Sequence, residues 1–267
     1  MGLPMNPIGT LNHKRRVAIA FEGAGAYHER ARVQRQVADR LGERLAALPL
    51  AGEPRVLELG CGSGFLSTAL QRIRPRGWFL HTDLAPAMVH RCRDHLAFQP
   101  GRRAFAVMDG ERLATKGFLD LIASSMTFQW FTDLPGALAR MAALLVPDGH
   151  LAFATLGEET FREWRGICNR QGVACGTPDY PTAGTLRDWW PAGGRGWLEE
   201  EYIAVSHPSG LDFLQELKAI GAHRAAVDHQ PVSAGDLRRL LRTMNPAAGD
   251  GFTVTYHILY GFFTRDA

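Results

Sequence analysis

A chain of 267 residues, 46% hydrophobic and 21% charged, is composed as an ordinary globular protein, which excludes a mainly disordered polymer and suits one α/β core carrying an insertion. Its formal net charge of +3 is too small to imply nucleic acid as a partner, so any basic surface must be local. Cys61, Cys92, Cys168 and Cys175 form no C-x-x-C pair, which predicts free thiols in a reducing, cytoplasmic setting.

The first sixteen residues, MGLPMNPIGTLNHKRR, are polar and hold no apolar core of signal-peptide length, and no later run approaches the ~18 apolar residues of a membrane span. The expectation is a protein neither exported by that route nor membrane-spanning. Residues 29–48 carry Val33, Val37, Leu41, Leu45 and Leu48 at spacings of three and four, the pattern of an amphipathic helix. That helix can cap a pocket, so residues 1–48 are expected to be a lid ahead of a main domain at 49–267. Strands are predicted near 55–59, 78–82, 103–107, 119–124 and 150–155, with helices near 64–73, 86–96 and 134–145. This alternation specifies a parallel sheet wound on both faces, with ligands at the carboxyl ends of the strands. The Gly-, Pro- and Trp-rich region at about 157–197 breaks the rhythm and reads as an insertion over the pocket. A strand near 199–206, helices near 209–221 and 233–244, the second one basic, and a strand near 252–263 complete the chain.

The segment from Val56 to Gly64, VLELGCGSG, runs a short apolar strand into an acidic residue and three glycines at alternate positions. Without a Cβ, Gly60, Gly62 and Gly64 permit a sharp strand-to-helix turn and close approach of the backbone to a ligand. The competing dinucleotide fingerprint G-x-G-x-x-G requires a third glycine where this chain has Phe65 or Ser67. It also seats a pyrophosphate on the helix N-terminus, which the Glu58 carboxylate would repel. The same carboxylate can attract the cationic amino-acid end of S-adenosyl-L-methionine, so Glu58, Gly60, Gly62 and Gly64 are candidate contacts to that cofactor.

Asp83 ends the second strand and can accept hydrogen bonds from both ribose hydroxyls, with Leu84 and Met88 placed to pack on adenine. Asp109 follows the third strand in VMDGERL. Its carboxylate can accept from the adenine amino group, and Gly110 allows close backbone contact. After the fourth strand, ASSMTFQWF (123–131) should face the transferred methyl, offering Ser125, Gln129 and Trp130. Aromatic groups near a sulfonium contribute cation–π attraction. The ten histidines show no ligand spacing, so no metal site is expected.

These segments, VLELGCGSG, TDLAP, VMDGERL, ASSMTFQWFTDL and LAFATLGEETFREW, resemble a class I S-adenosylmethionine-dependent methyltransferase. More narrowly, the chain resembles the malonyl-[acyl-carrier-protein] O-methyltransferases of biotin synthesis. FQW and F-x-T-L-x-x-x-T-F carry the narrower likeness, which extends to AYHERARVQ (26–34) and VTYHILYG (254–261). The resemblance implies a Rossmann-like seven-stranded sheet with its last strand antiparallel. It also implies methyl transfer to the free carboxylate of a malonyl thioester on acyl carrier protein, giving an ester that primes pimeloyl synthesis, with S-adenosyl-L-homocysteine as co-product. The family often has Asn where this chain has Ser125, a candidate contact to the cofactor.

A carboxylate is already ionised at pH 7 and needs no general base, so orientation and desolvation should dominate catalysis. Tyr27, Gln129 and Trp130 are the candidate donors and walls for the acceptor, with His28, His207 and Arg187 behind them. An acidic carrier calls for arginines at the pocket mouth. Arg30, Arg32 and Arg35 form one candidate cluster, Arg238, Arg239 and Arg242 another, and Arg187 and Arg195 a third. Two other readings stay open: methylation of a free small acid of the aconitate type, and a non-catalytic binding protein that keeps the fold.

Overall fold

In this computed structural model the described residues are 7–96, 102–115, 117–222, 232–244 and 251–267. The chain opens with three helices, α1 (Pro7–Glu22), α2 (Tyr27–Arg30) and α3 (Arg32–Ala46). It then alternates β1 (Arg55–Leu59), α4 (Phe65–Ile73), β2 (Trp78–Asp83), α5 (Pro86–His95), β3 (Arg102–Val107) and β4 (Leu119–Ser125). A short 3₁₀ turn (Phe128–Trp130) leads into α6 (Leu134–Leu144) and β5 (Leu145–Leu156). The remainder is α7 (Arg162–Arg170), α8 (Ala183–Asp188), β6 (Gly194–His207), α9 (Gly210–Ala219), α10 (Ala234–Met244) and β7 (Phe252–Arg265).

The seven strands form one sheet in the order β3-β2-β1-β4-β5-β7-β6. β7 runs antiparallel to both neighbours, and the other links are parallel. Side chains alternate across the sheet, so one strand feeds two cores. Val56, Leu121, Ala123, Ala152 and Ala154 face the layer of α3, α4 and α7, whereas Leu57, Leu59, Ile122, Leu151 and Phe153 face α6 and α8.

The helix expected over 29–48 is two helices, broken at Ala31 (φ −77°, ψ 59°). The periodic residues Val33, Val37, Leu41 and Leu45 are buried in the same core as the sheet, each contributing about 2 kcal/mol by burial. A Cβ on Gly42 would come within 2.7 Å of Ala69 Cβ, so α3 and α4 pack closely. α3 is thus a layer of the domain, and its Gln34 and Ala38 also line a small cleft beside the glycine turn. β5 and β6 begin earlier than expected, the latter at Gly194, inside the region read as insertion.

The polar opening of the chain carries α1, a helix the sequence pattern does not predict. Arg91 on α5 fastens its end: Nη1 donates to the carbonyls of Ala24 (2.8 Å) and Phe21 (3.3 Å), and Nη2 to that of Glu22 (3.2 Å). Among the described residues no helix is long and apolar enough to cross a membrane.

Candidate functional site

A cavity, partly open to solvent, lies at the carboxyl ends of β1, β2 and β4, where ligands bind in such sheets. The glycine turn forms its floor. Gly60 (φ +70°) and Gly62 (φ +53°) both adopt left-handed backbone. A Cβ on Gly60 would sit 2.0 Å from Thr127 Oγ1, and one on Gly62 would stand 3.7 Å from the Tyr27 phenol oxygen. Both glycines therefore keep the cavity open to close backbone contact. Gly64 plays another part. It lines neither this cavity nor the smaller cleft beside it, and its Cβ would meet Cys92 Sγ at 3.4 Å, so it lets α4 start against α5.

Asp83 stands at the cavity with both oxygens engaged: Oδ2 accepts from the Gly62 N–H and Oδ1 from the Ala85 N–H, each at 2.9 Å. Burial pushes its carboxyl up to about 6, against the pull of those N–H donors. Leu84, Met88, Met108, Gly110 and Phe131 make an apolar slot beside it. Gly110 is required there, because a Cβ would fall 2.8 Å from the Phe131 ring.

Asp109 lines the same slot, with a partner the sequence pattern did not indicate. Lys14 Nζ donates to its two oxygens at 2.7 and 2.5 Å and approaches Glu111 Oε2 at 2.7 Å. Glu111 also accepts the backbone N–H groups of Thr132 (3.0 Å) and Asp133 (2.6 Å). The N-terminal helix is thus tied to the loop after β3. Lys14, Val17, Ala18 and Phe21, at helical spacing, form one cavity wall. Phe21 meets Trp130 edge-on with ring centres 5.7 Å apart, and His13 bonds to the Trp130 carbonyl oxygen at 3.3 Å.

Tyr27 and Ser125 stand where the main cavity joins a smaller cleft, and both line the two spaces together with Gly60 and Gly62. Burial and the nearby Asp83 and Cys61 push the Tyr27 phenol far up, so it remains a neutral donor at any physiological pH. Ser125 Oγ is buried and has no hydrogen-bond partner among the described residues. An orphaned hydroxyl in a cavity wall indicates a ligand group that completes its bonding.

Several other predicted site residues are differently employed. Glu58 faces the smaller cleft, but its Oε2 already accepts from Ser67 Oγ (2.6 Å) and pairs with His81 Nδ1 (2.5 Å). That oxygen fastens β1 to α4 and β2. Gln129 lines neither space; its Nε2 donates to the Met126 carbonyl (2.7 Å) and its Oε1 accepts from Thr155 (3.4 Å), which braces the loop. His28 bonds to Ser63 Oγ (2.9 Å) and stacks on His95, His207 is buried beside Glu216, and Arg187 pairs with Glu200. None of the three lines the cavity.

The residues fit S-adenosylmethionine: an acidic acceptor for ribose, an apolar slot ending in Asp109, a turn without Cβ atoms, and aromatic faces of Phe21, Tyr27 and Trp130 suited to a cationic sulfur. Among the described lining residues the one cation, Lys14, is already paired with two carboxylates.

Comparison with known proteins agrees with this chemistry. The profile of a family described as "Methyltransferase domain" matches residues 27–194. The malonyl-[acyl-carrier protein] O-methyltransferase of Magnetococcus marinus is 52% identical, covering 99% of this chain and 97% of that protein. The biotin biosynthesis bifunctional protein BioCD of Bordetella avium is 41% identical over 92% of this chain and 52% of its own length. Among solved structures, the YcgJ protein of Bacillus subtilis shares the fold (TM-score 0.60, 14% identity, 85% of this chain and 98% of the other). So does the plantazolicin methyltransferase BpumL, solved with S-adenosylhomocysteine (TM-score 0.50, 11% identity, 97% and 99%).

Proposed function

Because the chain belongs to the malonyl-[acyl-carrier protein] O-methyltransferase family of S-adenosylmethionine-dependent enzymes, we propose that it esterifies the free carboxylate of a malonyl thioester borne by acyl carrier protein. The methyl ester so formed primes synthesis of the pimeloyl precursor of biotin, in keeping with the biotin-synthesis name of the Bordetella relative.

Asp83 holds the ribose, Leu84, Met88 and Gly110 enclose the adenine, and Asp109 accepts from its amino group. Gly60 and Gly62 allow the backbone to approach, and Glu58 faces the cleft for the amino-acid end. When bound, S-adenosylmethionine supplies a methyl group on a cationic sulfur, which leaves as the neutral sulfur of S-adenosylhomocysteine. The chain's own contribution is orientation in a water-poor space. The Tyr27 phenol and the Ser125 hydroxyl donate to the acceptor carboxylate from the junction of the two spaces, while Trp130 and Phe21 exclude water.

The observation that carries this reading is the kind of donor at that junction. Two neutral hydroxyls hold a carboxylate without neutralising it, so its oxygen stays nucleophilic, whereas an arginine would withdraw charge from it. A free polyacid of the aconitate type brings further carboxylates, and the described lining residues offer them no unpaired cation. A malonyl thioester carries one carboxylate and an uncharged thioester, which matches the wall.

The test is a comparison of kcat/KM for malonyl carrier protein, malonyl-CoA, free malonate and aconitate. Transfer should be most efficient to the carrier-bound malonyl group, and methylation of free acids alone would refute the proposal.

A further inference from the structure

We infer that the outer face of α1 is the docking surface for the acidic carrier protein, an inference that rests on the acceptor proposed above. The helix is two-sided. Lys14, Val17, Ala18 and Phe21 wall the cavity, while Leu11, Arg15 and Ile19, four residues apart, share the adjoining exposed stripe with Arg16 beyond them. Leu11 is 57% exposed and Ile19 49% exposed. Arg15 and Arg16 are exposed, and neither side chain has a hydrogen bond or ion pair among the described residues. Arg112 is exposed, and its side chain too has no partner among the described residues, in the loop whose Asp109 and Glu111 grip Lys14. Two apolar side chains flanked by unneutralised guanidinium groups fit an acidic helix that carries some apolar surface.

The rival clusters are mostly paired or lie elsewhere: Arg30 and Arg195 are exposed and their side chains have no partner among the described residues, but neither lines the cavity. Arg32 pairs with Glu216 at 3.0 Å, and Arg35 lies over the Phe65 ring while donating to the His28 carbonyl. Arg187 pairs with Glu200 and Arg239 with Asp236. Arg238 and Arg242 are exposed, but their helix, α10, contributes nothing to the cavity wall. By contrast α1 is both wall and outer surface, so a carrier seated on it delivers its thioester arm beside the site it must enter.

The experiment measures steady-state kinetics of the full chain with malonyl carrier protein and with malonyl-pantetheine, which presents the same reacting group without a protein. The double variant Arg15→Glu/Arg16→Glu should raise KM for the carrier about tenfold and weaken its salt dependence. Its kinetics with malonyl-pantetheine and its affinity for S-adenosylhomocysteine should not change, which also shows that it folds. The variant Arg238→Glu/Arg242→Glu should leave all of these unchanged. An unchanged KM for the carrier in the α1 variant, an equal loss with malonyl-pantetheine, or a comparable loss in the α10 variant would overturn docking on α1. A wild-type chain inert toward malonyl carrier protein would instead overturn the acceptor, and docking with it.

Discussion

Cofactor affinity should weaken as the pH falls through 6, and the cause is one carboxyl group. Asp83 is pushed up to about 6 mainly by burial, although Ala85 and Gly62 donate backbone N–H bonds to it. Ribose hydroxyls bind as donors to the ionised form, so protonated molecules must lose a proton before binding. With a value of about 6, about ten molecules in eleven are protonated at pH 5 and about one in eleven at pH 7. Apparent affinity is then about tenfold lower at pH 5, or about 1.4 kcal/mol. The stability of the ligand-free protein runs the other way. The folded value lies above the ordinary 3.8, so this group's contribution is fully present below that value and is lost as the pH rises through 6. Calorimetric titration with S-adenosylhomocysteine between pH 5 and 7 measures the first effect, with Asp83→Asn as a variant whose profile should be flat. Equal affinity of the folded wild type at both ends of this range, or an undiminished slope in Asp83→Asn, would refute the reasoning.

Three substitutions separate stability from ligand binding. Lys14→Met leaves Asp109 and Glu111 without their shared cation in a nearly buried setting and should lower the unfolding free energy in urea by about 3 kcal/mol, with part restored by adding Asp109→Asn. Gly60→Ala places a Cβ 2.0 Å from Thr127 Oγ1 at a φ of +70°; S-adenosylhomocysteine binding should be lost, and melting temperature should fall. Ser125→Ala removes a hydroxyl that has no partner in the free protein, so thermal stability should stay within about 0.5 kcal/mol while KM for the acceptor rises about fivefold to tenfold. A stability loss without the KM change would count against Ser125 as an acceptor donor.

The legible parts of the site are those encoded locally. Gly60 and Gly62 were readable because a turn that needs left-handed backbone recruits glycine, and Asp83, Asp109 and Ser125 because the ends of parallel strands converge on one crevice. The sheet was readable for the same reason, since Val56, Leu57 and Leu59, and Leu121 through Ala123, put apolar side chains on both faces. Lys14 escaped because its binding is ionic and joins residues 95 positions apart, which hydrophobic periodicity does not register; the small residues Ala18 and Ala20 gave α1 a weak pattern as well. The partners of Glu58 and Gln129 were hidden because nothing adjacent in sequence reveals that His81, Ser67, Met126 and Thr155 engage them. The break at Ala31 was hidden because Val33 through Leu45 keep an unbroken helical period just beyond it.

The most direct measurement incubates the protein with malonyl carrier protein and S-adenosylmethionine carrying a ¹³C-labelled methyl group, then locates the label by NMR. The account predicts a single O-methyl ester signal on the malonyl group, with stoichiometric S-adenosylhomocysteine. Label on nitrogen or carbon, or cofactor bound with no label transferred, would contradict it.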